Sequence, residues 1–267
     1  MTGQPGVEII RVRDGRFGYR NEIAVRADLT VCAGEVVALL GPNGSGKTTL
    51  LKGILGLVDC LGGEVELLGR PLRELRDRSP IGYVPQRQTA AGPIPVTVRE
   101  LVRSGRLART GMFHRRRASD HSAVRAAISA VDLSDKERKP VATLSGGQQR
   151  RALVARALAG GATVLLLDEP LAGVDQANQD AMALALRALV DTGVTVVVVL
   201  HELGPLEPLV TRAVCLDDGA VVFDGPLETA PAKLLHLGHD HDPHGGHPDQ
   251  QPGRQGLGLF TGREGRT

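Results

Sequence analysis

The segment Gly41-Pro42-Asn43-Gly44-Ser45-Gly46-Lys47-Thr48 constrains this chain more than any other stretch. It meets the pattern G-x-x-x-x-G-K-[ST] at every fixed position, follows the apolar run Glu35 to Leu40, and precedes helical apolar spacing from Gly46 to Leu55. Strand, glycine loop and helix in that order make a phosphate cradle. Glycines let backbone N–H groups wrap an anion with no Cβ in the way, and the helix that follows offers its positive end. On this reading Lys47 holds the β- and γ-phosphates of a nucleotide and Thr48 ligates Mg²⁺, with Gly41 through Thr49 as the binding segment.

A second apolar run, Val164 to Leu167, ends in Asp168-Glu169. Open α/β sheets place ligands at the carboxyl ends of their strands, so Asp168 is expected to bind the same Mg²⁺. Glu169 points the other way and becomes the candidate base for the attacking water. A third run, Val194 to Leu200, has the same fully buried look. Helical patterns at Ser145 to Ala159 and Gln176 to Thr192 alternate with these runs, which predicts an α/β fold with a largely parallel sheet. Val7 to Tyr19, Ala27 to Val31 and Gly63 to Leu68 read instead as an antiparallel β layer at the N-terminal side. Between Gln88 and Val141 the β pattern gives way to helical stretches at Thr97 to Ser104 and Ser119 to Val131, read as a helical insertion.

Composition sets outer limits. Of 267 residues, 42% are apolar, enough for a full core, while 32 Lys plus Arg against 30 Asp plus Glu leave +2, too balanced to argue for nucleic acid as a partner. Three scattered cysteines without C-x-x-C spacing fit a reducing compartment. Met1 to Arg13 carries no secretory pattern, and no apolar run approaches the roughly 20 residues of a membrane helix, so membrane association is expected to come through a partner.

Leu144-Ser145-Gly146-Gly147-Gln148-Gln149 places a Ser N-cap and two glycines at a helix start, another setting for an anion. LSGGQ about twenty residues before LLLDEP resembles the signature of the ABC ATPase family, and the similarity runs from about Val7 to Leu235. The resemblance implies a P-loop NTPase core of ABC ATPase type with an N-terminal antiparallel β layer and a helical subdomain at about 88–160, inside a domain spanning 1–235. It also implies roles by matching position. Tyr19 resembles the aromatic that stacks on adenine, Gln86 in Tyr83-Val84-Pro85-Gln86 the Q-loop glutamine, a catalytic and Mg²⁺-ligating residue, Asp175 in Leu171-Ala172-Gly173-Val174-Asp175 the D-loop aspartate, and His201 the switch histidine. Glu202 stands where the family more often has Asp. Two such chains are expected to pair head to tail, each ATP lying between one chain's Lys47 loop and the other's Ser145, Gly146, Gly147 and Gln148.

The family contacts membrane permease subunits through the helical insertion. Here Gly92 to Glu100, Gly111 to Arg116 and Ala172 to Asp175 resemble the branch that imports zinc, manganese or iron, which implies an extracytoplasmic metal-binding protein and a position on the cytoplasmic face of the cell membrane. Arg115 to Arg117 reads as a solvated basic loop. Residues 236–267 are Gly-, Pro- and His-rich with little apolar content, and are expected to be disordered. Their His236, His239, His241, His244 and His247, interleaved with aspartates, form a candidate Zn²⁺ ligand set. The leading expectation is therefore an ATP-hydrolysing subunit powering divalent metal import, zinc or manganese first. The alternatives are an importer or exporter ATPase for another solute and a soluble ABC ATPase acting outside transport.

Overall fold

The computed structural model describes residues 6–86, 96–107 and 118–235. Strands β1 (Glu8–Tyr19), β2 (Glu22–Cys32), β4 (Asp59–Leu67) and β5 (Arg70–Pro71) form the antiparallel layer, and β3 (Val36–Leu40), β6 (Ile81–Val84), β7 (Val164–Asp168) and β8 (Thr195–Val199) run parallel in the core. A hairpin of β9 (Arg212–Asp217) and β10 (Ala220–Pro226) joins the two parts, giving one sheet in the order β5-β4-β1-β2-β10-β9-β3-β8-β7-β6. Helices α1 (Lys47–Ile54), α2 (Val98–Ser104), α3 (Ala118–Ala130), α4 (Gly146–Gly160), α5 (Gln176–Val190) and α6 (Ala232–Leu235) complete the described part.

Parallel strands covered on both faces must be apolar at every position. β3, β7 and β8 are buried at every residue. One face, with Val37, Leu39, Leu166 and Val199, packs on α1 and the antiparallel layer. The other, with Ala38, Leu40, Leu165 and Val198, packs against α4 and α5. α2, α3 and α4 share the second core through Val102, Ile128 and Leu153. Their junction is pinned by a buried charge: Arg151, 5% exposed, donates to the carbonyls of Val131 and Asp132 at 3.0 and 3.3 Å, holding the C-terminal end of α3 on α4.

Hairpin turns fix the strand pairing. Arg20-Asn21 between β1 and β2, Leu68-Gly69 between β4 and β5, and Asp218-Gly219 between β9 and β10 are two-residue loops with both φ values positive, the combination whose twist matches antiparallel strands. The predicted parallel strands and helices all form. β5, β6, β9 and β10 were not anticipated. β6 offers four residues with a glycine among them, β9 is closed by Arg212 and Asp217, and β10 is cut short by Asp224, Gly225 and Pro226, so none shows a long apolar run. The Asp218-Gly219 pair was the available signal for the β9–β10 hairpin. Arg115 to Arg117, residues 87–95 and the histidine-rich 236–267 lie outside the described residues.

The antiparallel layer is locked onto α1 by Phe17, fully buried against the glycine face of that helix: a Cβ at Gly53 would stand 2.4 Å from the ring. Gly53→Ala should therefore lower unfolding stability by about 1–3 kcal/mol despite alanine's better helix propensity. Urea denaturation measures this, and Phe17→Leu added to Gly53→Ala should recover part of the loss.

Candidate nucleotide site

The site is assembled where the parallel strands end. β3 runs into Gly41, whose φ of 142° and close approach to the next strand leave no room for a side chain: a Cβ there would lie 2.1 Å from the carbonyl oxygen of Leu216. The loop then turns through left-handed Gly44 and Gly46 into α1, with Gly46 packed against Ala24 and Val25 of β2. Lys47, 5% exposed, donates from Nζ to the carbonyls of Gly41 and Pro42, both at 2.8 Å. Burial pulls its pKa down while the charges of Glu169 and Asp168 act the other way. Ser45 Oγ is buried in the same loop with no hydrogen-bond partner. A buried ammonium and an orphaned hydroxyl beside a cavity of about 180 Å³, lined by Asn43, Gly44, Lys47, Thr48 and Glu169, suit an anion with several acceptor oxygens.

The acidic side comes from β7. Asp168 is 2% exposed and accepts a 2.7 Å hydrogen bond from Thr48 Oγ1, so strand and helix meet through this pair. Burial raises the Asp168 pKa, and the Thr48 hydrogen bond counters part of that rise. Hydroxyl and carboxylate oxygens are the donors a hard cation such as Mg²⁺ takes, so the pair fits the ion assigned to it from sequence. The Tyr83 phenol, on the neighbouring strand, is pushed up to about 12 by its own burial and by the adjoining Asp168 carboxylate.

Glu169 is the geometric centre. Its φ of 49° is unusual for a residue with a side chain, and its N–H donates to Val199 O at 3.1 Å, extending the β7–β8 ladder one step past the strand. Its carboxylate is gripped on both sides, by Gln86 Nε2 at one oxygen and by His201 Nε2, 2.8 Å from the other. Gln86 follows β6, Glu169 follows β7 and His201 follows shortly after β8, so three adjacent strands deliver the three groups.

The structure thus brings together Lys47, Thr48, Gln86, Asp168, Glu169 and His201. Tyr19 stands half exposed at the β1–β2 turn, outside the lining of the Lys47 cavity. Ser145 and Asp175 form a separate exposed cluster. Ser145 N-caps α4 in a reciprocal box with Gln148, and Asp175 N-caps α5, accepting from Asn178 N at 3.0 Å and Asn178 Nδ2 at 2.7 Å. Those hydrogen bonds hold the Asp175 carboxyl below its ordinary range. Sequence reasoning missed Arg150, which donates to Pro170 O at 3.2 Å beside Glu169, because a lone arginine early in a helix carries no pattern. The His236 to His247 set lies outside the described residues, and no group of three or more metal-ligating side chains occurs among those described.

Burial disfavours the charged form of Asp168 in the free chain. Its raised pKa means that the folded state takes up a proton more readily than the unfolded one, so ionising it costs stability above its folded pKa and nothing below the ordinary Asp range. Asp168→Asn should accordingly raise the urea midpoint of the nucleotide-free chain at neutral pH, with the gain shrinking on acidification through that range.

Comparison with known proteins follows the same lines. Residues 25–172 match the ABC transporter family. The manganese transport system ATP-binding protein MntB of Bacillus subtilis strain 168 is 38% identical over 210 residues, covering 79% of this chain and 83% of the relative. The zinc transport system ATP-binding protein TroB of Treponema pallidum is 36% identical, covering 80% and 82%. The hemin import ATP-binding protein HmuV of Nocardia farcinica is 39% identical, covering 80% and 74%. Among solved structures, a nucleotide-free ATP-binding cassette from an ABC transporter superposes with a TM-score of 0.74 at 21% identity, covering 86% of this chain and 98% of that one.

Proposed function

The chain belongs to the ABC transporter family, and from that premise we propose that it is the ATP-hydrolysing subunit of a system importing a divalent metal ion, zinc or manganese first. The observation that carries the ATPase assignment is the Glu169 carboxylate held between Gln86 and His201 next to Lys47 and the Thr48–Asp168 pair. In this reading Gly41 through Thr49 cradle the phosphates and Tyr19 stacks on adenine. Mg²⁺, held by Thr48, Gln86 and Asp168, would screen the phosphate charge. Glu169 orients and deprotonates the attacking water, and His201 contacts the γ-phosphate while fixing the Glu169 carboxylate.

The separation of Ser145 to Gln148 and Asp175 from the Lys47 cavity supports a head-to-tail homodimer, because these capped helix starts are free to face a second copy's nucleotide. Residues 1–235 would then be the ATPase domain, with 88–160 as the helical subdomain that meets integral membrane permease subunits. Among the described residues no helix is long and apolar enough to cross a membrane, which supports attachment to the cytoplasmic face through that permease. An extracytoplasmic metal-binding protein completes the system.

The similarity to MntB of a manganese transport system and TroB of a zinc transport system supports metal ions as cargo, and that to the hemin import protein HmuV supports a metal chelate as the second reading. Transport by the chain reconstituted with its permease decides between them: uptake of Zn²⁺ or Mn²⁺ with no response to hemin supports the first, and the reverse supports the second. The tail 236–267 is proposed as a Zn²⁺-binding appendage, and equal Zn²⁺ binding by the full chain and by one ending at Leu235 would overturn this. For the chemistry, Glu169→Gln should keep ATP affinity within about threefold and lower kcat by roughly a hundredfold or more, since it removes the base and leaves the phosphate cradle intact. Steady-state hydrolysis with parallel nucleotide-binding measurements checks both numbers.

A further inference from the structure

The hydroxyl of Tyr83 is one of three buried side-chain polar atoms among the described residues that find no hydrogen-bond partner. A buried hydroxyl left unpaired is costly, and native structures keep few of them without a purpose. Of the other two, Ser45 Oγ lies in the phosphate cradle, and Arg151 Nε belongs to a guanidinium that already holds the end of α3. Tyr83 has neither explanation, and the motif around Gln86 gives it no role.

Topology places this phenol beside Asp168. Tyr83 pairs with Leu166 across the parallel β6–β7 ladder, and side chains alternate along a strand, so Tyr83, Leu166 and Asp168 share the face that packs toward α1. Asp168 is the diagonal neighbour, two residues beyond Leu166. Burial and then the adjoining Asp168 carboxylate push the Tyr83 pKa up to about 12, yet the hydrogen bond between the two is not completed. Thr48 Oγ1, at the start of α1, already donates to Asp168 Oδ1 at 2.7 Å. A carboxylate has about four lone-pair sites, which leaves room for a second hydroxyl.

We propose that Tyr83 is a positioning residue for Asp168: its O–H is held in reserve in the free chain and completes its hydrogen bond when Mg²⁺ and nucleotide are bound, fixing the rotation of the carboxylate. This rests on the Mg²⁺ reading of Thr48 and Asp168 given above. Thr48 is the donor in the free chain, but its oxygen is also the one assigned to the cation, so the Thr48–Asp168 bond has to adjust on loading. Tyr83 comes from β6, outside the phosphate loop and outside the lining of the Lys47 cavity, and has no such second duty. Hydrogen-bond partners behind a metal-binding side chain orient it and keep its charge turned toward the ion.

The experiment uses the full chain and the variants Tyr83→Phe, Asp168→Ala and both together, in the Glu169→Gln background so that ATP persists. Mn²⁺ is the probe cation. Its binding to the ATP-loaded chain is followed by electron paramagnetic resonance, with fluorescent ATP-analogue affinity in EDTA and the urea midpoint of the nucleotide-free chain alongside. Tyr83→Phe should weaken Mn²⁺ binding about tenfold while analogue affinity in EDTA stays within about twofold of the parent. Its urea midpoint should not fall, since the group removed is buried and unpaired. With Asp168→Ala already present, the same substitution should change Mn²⁺ binding by less than about twofold, because its route is gone. Spectroscopy leaves Tyr83 itself in place. The chain has no Trp and two Tyr, so in Tyr19→Phe the remaining tyrosine emission comes from Tyr83 alone. Hydrogen bonding to a carboxylate quenches a phenol, so this emission should fall when Mg²⁺ joins the ATP-loaded chain and stay level when ATP is added in EDTA. Parental Mn²⁺ affinity in Tyr83→Phe would overturn the proposal, as would an equal loss in the Asp168→Ala background or Tyr83 emission indifferent to Mg²⁺. A lowered urea midpoint would overturn it too, by showing the hydroxyl already bonded in the free chain. Unchanged Mn²⁺ affinity in Asp168→Ala alone would instead remove the Mg²⁺ reading of Asp168, and this inference with it.

Discussion

The hydrogen bond from Glu169 N to Val199 O is the constraint on which the rest of the site depends. It carries the pairing of β7 and β8 one residue beyond the end of β7, and the chain can leave the sheet afterwards only through a left-handed Glu169. That conformation costs on the order of 1 kcal/mol or more for a residue bearing a Cβ, and it persists because the flanking strands are buried on both faces and cannot slip. The result is a carboxylate presented edge-on to the ends of the two neighbouring strands, where Gln86 and His201 meet it. A glycine would take the same turn with less strain but would bring no carboxylate, so the strain and the chemistry share one residue.

Around that carboxylate the charges are arranged at a cost to the protein alone. Asp168 is raised by burial and Lys47 is lowered by burial, so each is less stable in its charged form than it would be in water. They are partly reconciled with one another and with the loop: Thr48 hydrogen-bonds Asp168, and Lys47 folds onto the carbonyls of Gly41 and Pro42. Lys47 and the unpaired Ser45 hydroxyl still have donor capacity that carbonyls of the loop do not exhaust. A phosphate chain answers that capacity and a divalent cation answers the acidic pair, which is why the same few residues suit both at once.

Legibility in the sequence followed the strength of the local physics. The parallel strands were readable because double burial makes β3, β7 and β8 almost wholly apolar, and the helices because of their apolar spacing and, for α4, the Ser145 cap. Lys47, Thr48, Asp168 and Glu169 were found from residue chemistry. Gln86 and His201 came only through the family resemblance, since a glutamine after a four-residue strand and a histidine after a valine run have no pattern of their own. The structure supplies the missing reason by joining both to one carboxylate. β9 and β10 were hidden because β9 has only four apolar residues between Arg212 and Asp217 and β10 ends in Asp224-Gly225-Pro226, both weak signals, and Arg150 because its partner, a backbone carbonyl, leaves no trace in composition.

The exposed cluster of helix caps is a second polar surface, apart from the Lys47 cavity. Ser145 and Asp175 already satisfy backbone donors of their own helices, so neither is an orphan awaiting a ligand. What they retain differs: the Ser145 hydroxyl has an O–H held only at 3.5 Å by Asn178 Oδ1, and the helix start behind it keeps uncapped N–H groups with a positive end, all donors that suit an anion, whereas the Asp175 carboxylate can only accept. The contacts around the caps also join the two helix starts: Asn178 Nδ2 donates to Asp175 Oδ2 at 2.7 Å, a Cβ at Gly147 would stand 2.6 Å from Asn178 Cβ, and Arg150 donates to Pro170 O at 3.2 Å. Weakening the caps would therefore loosen the packing of both helix starts as well.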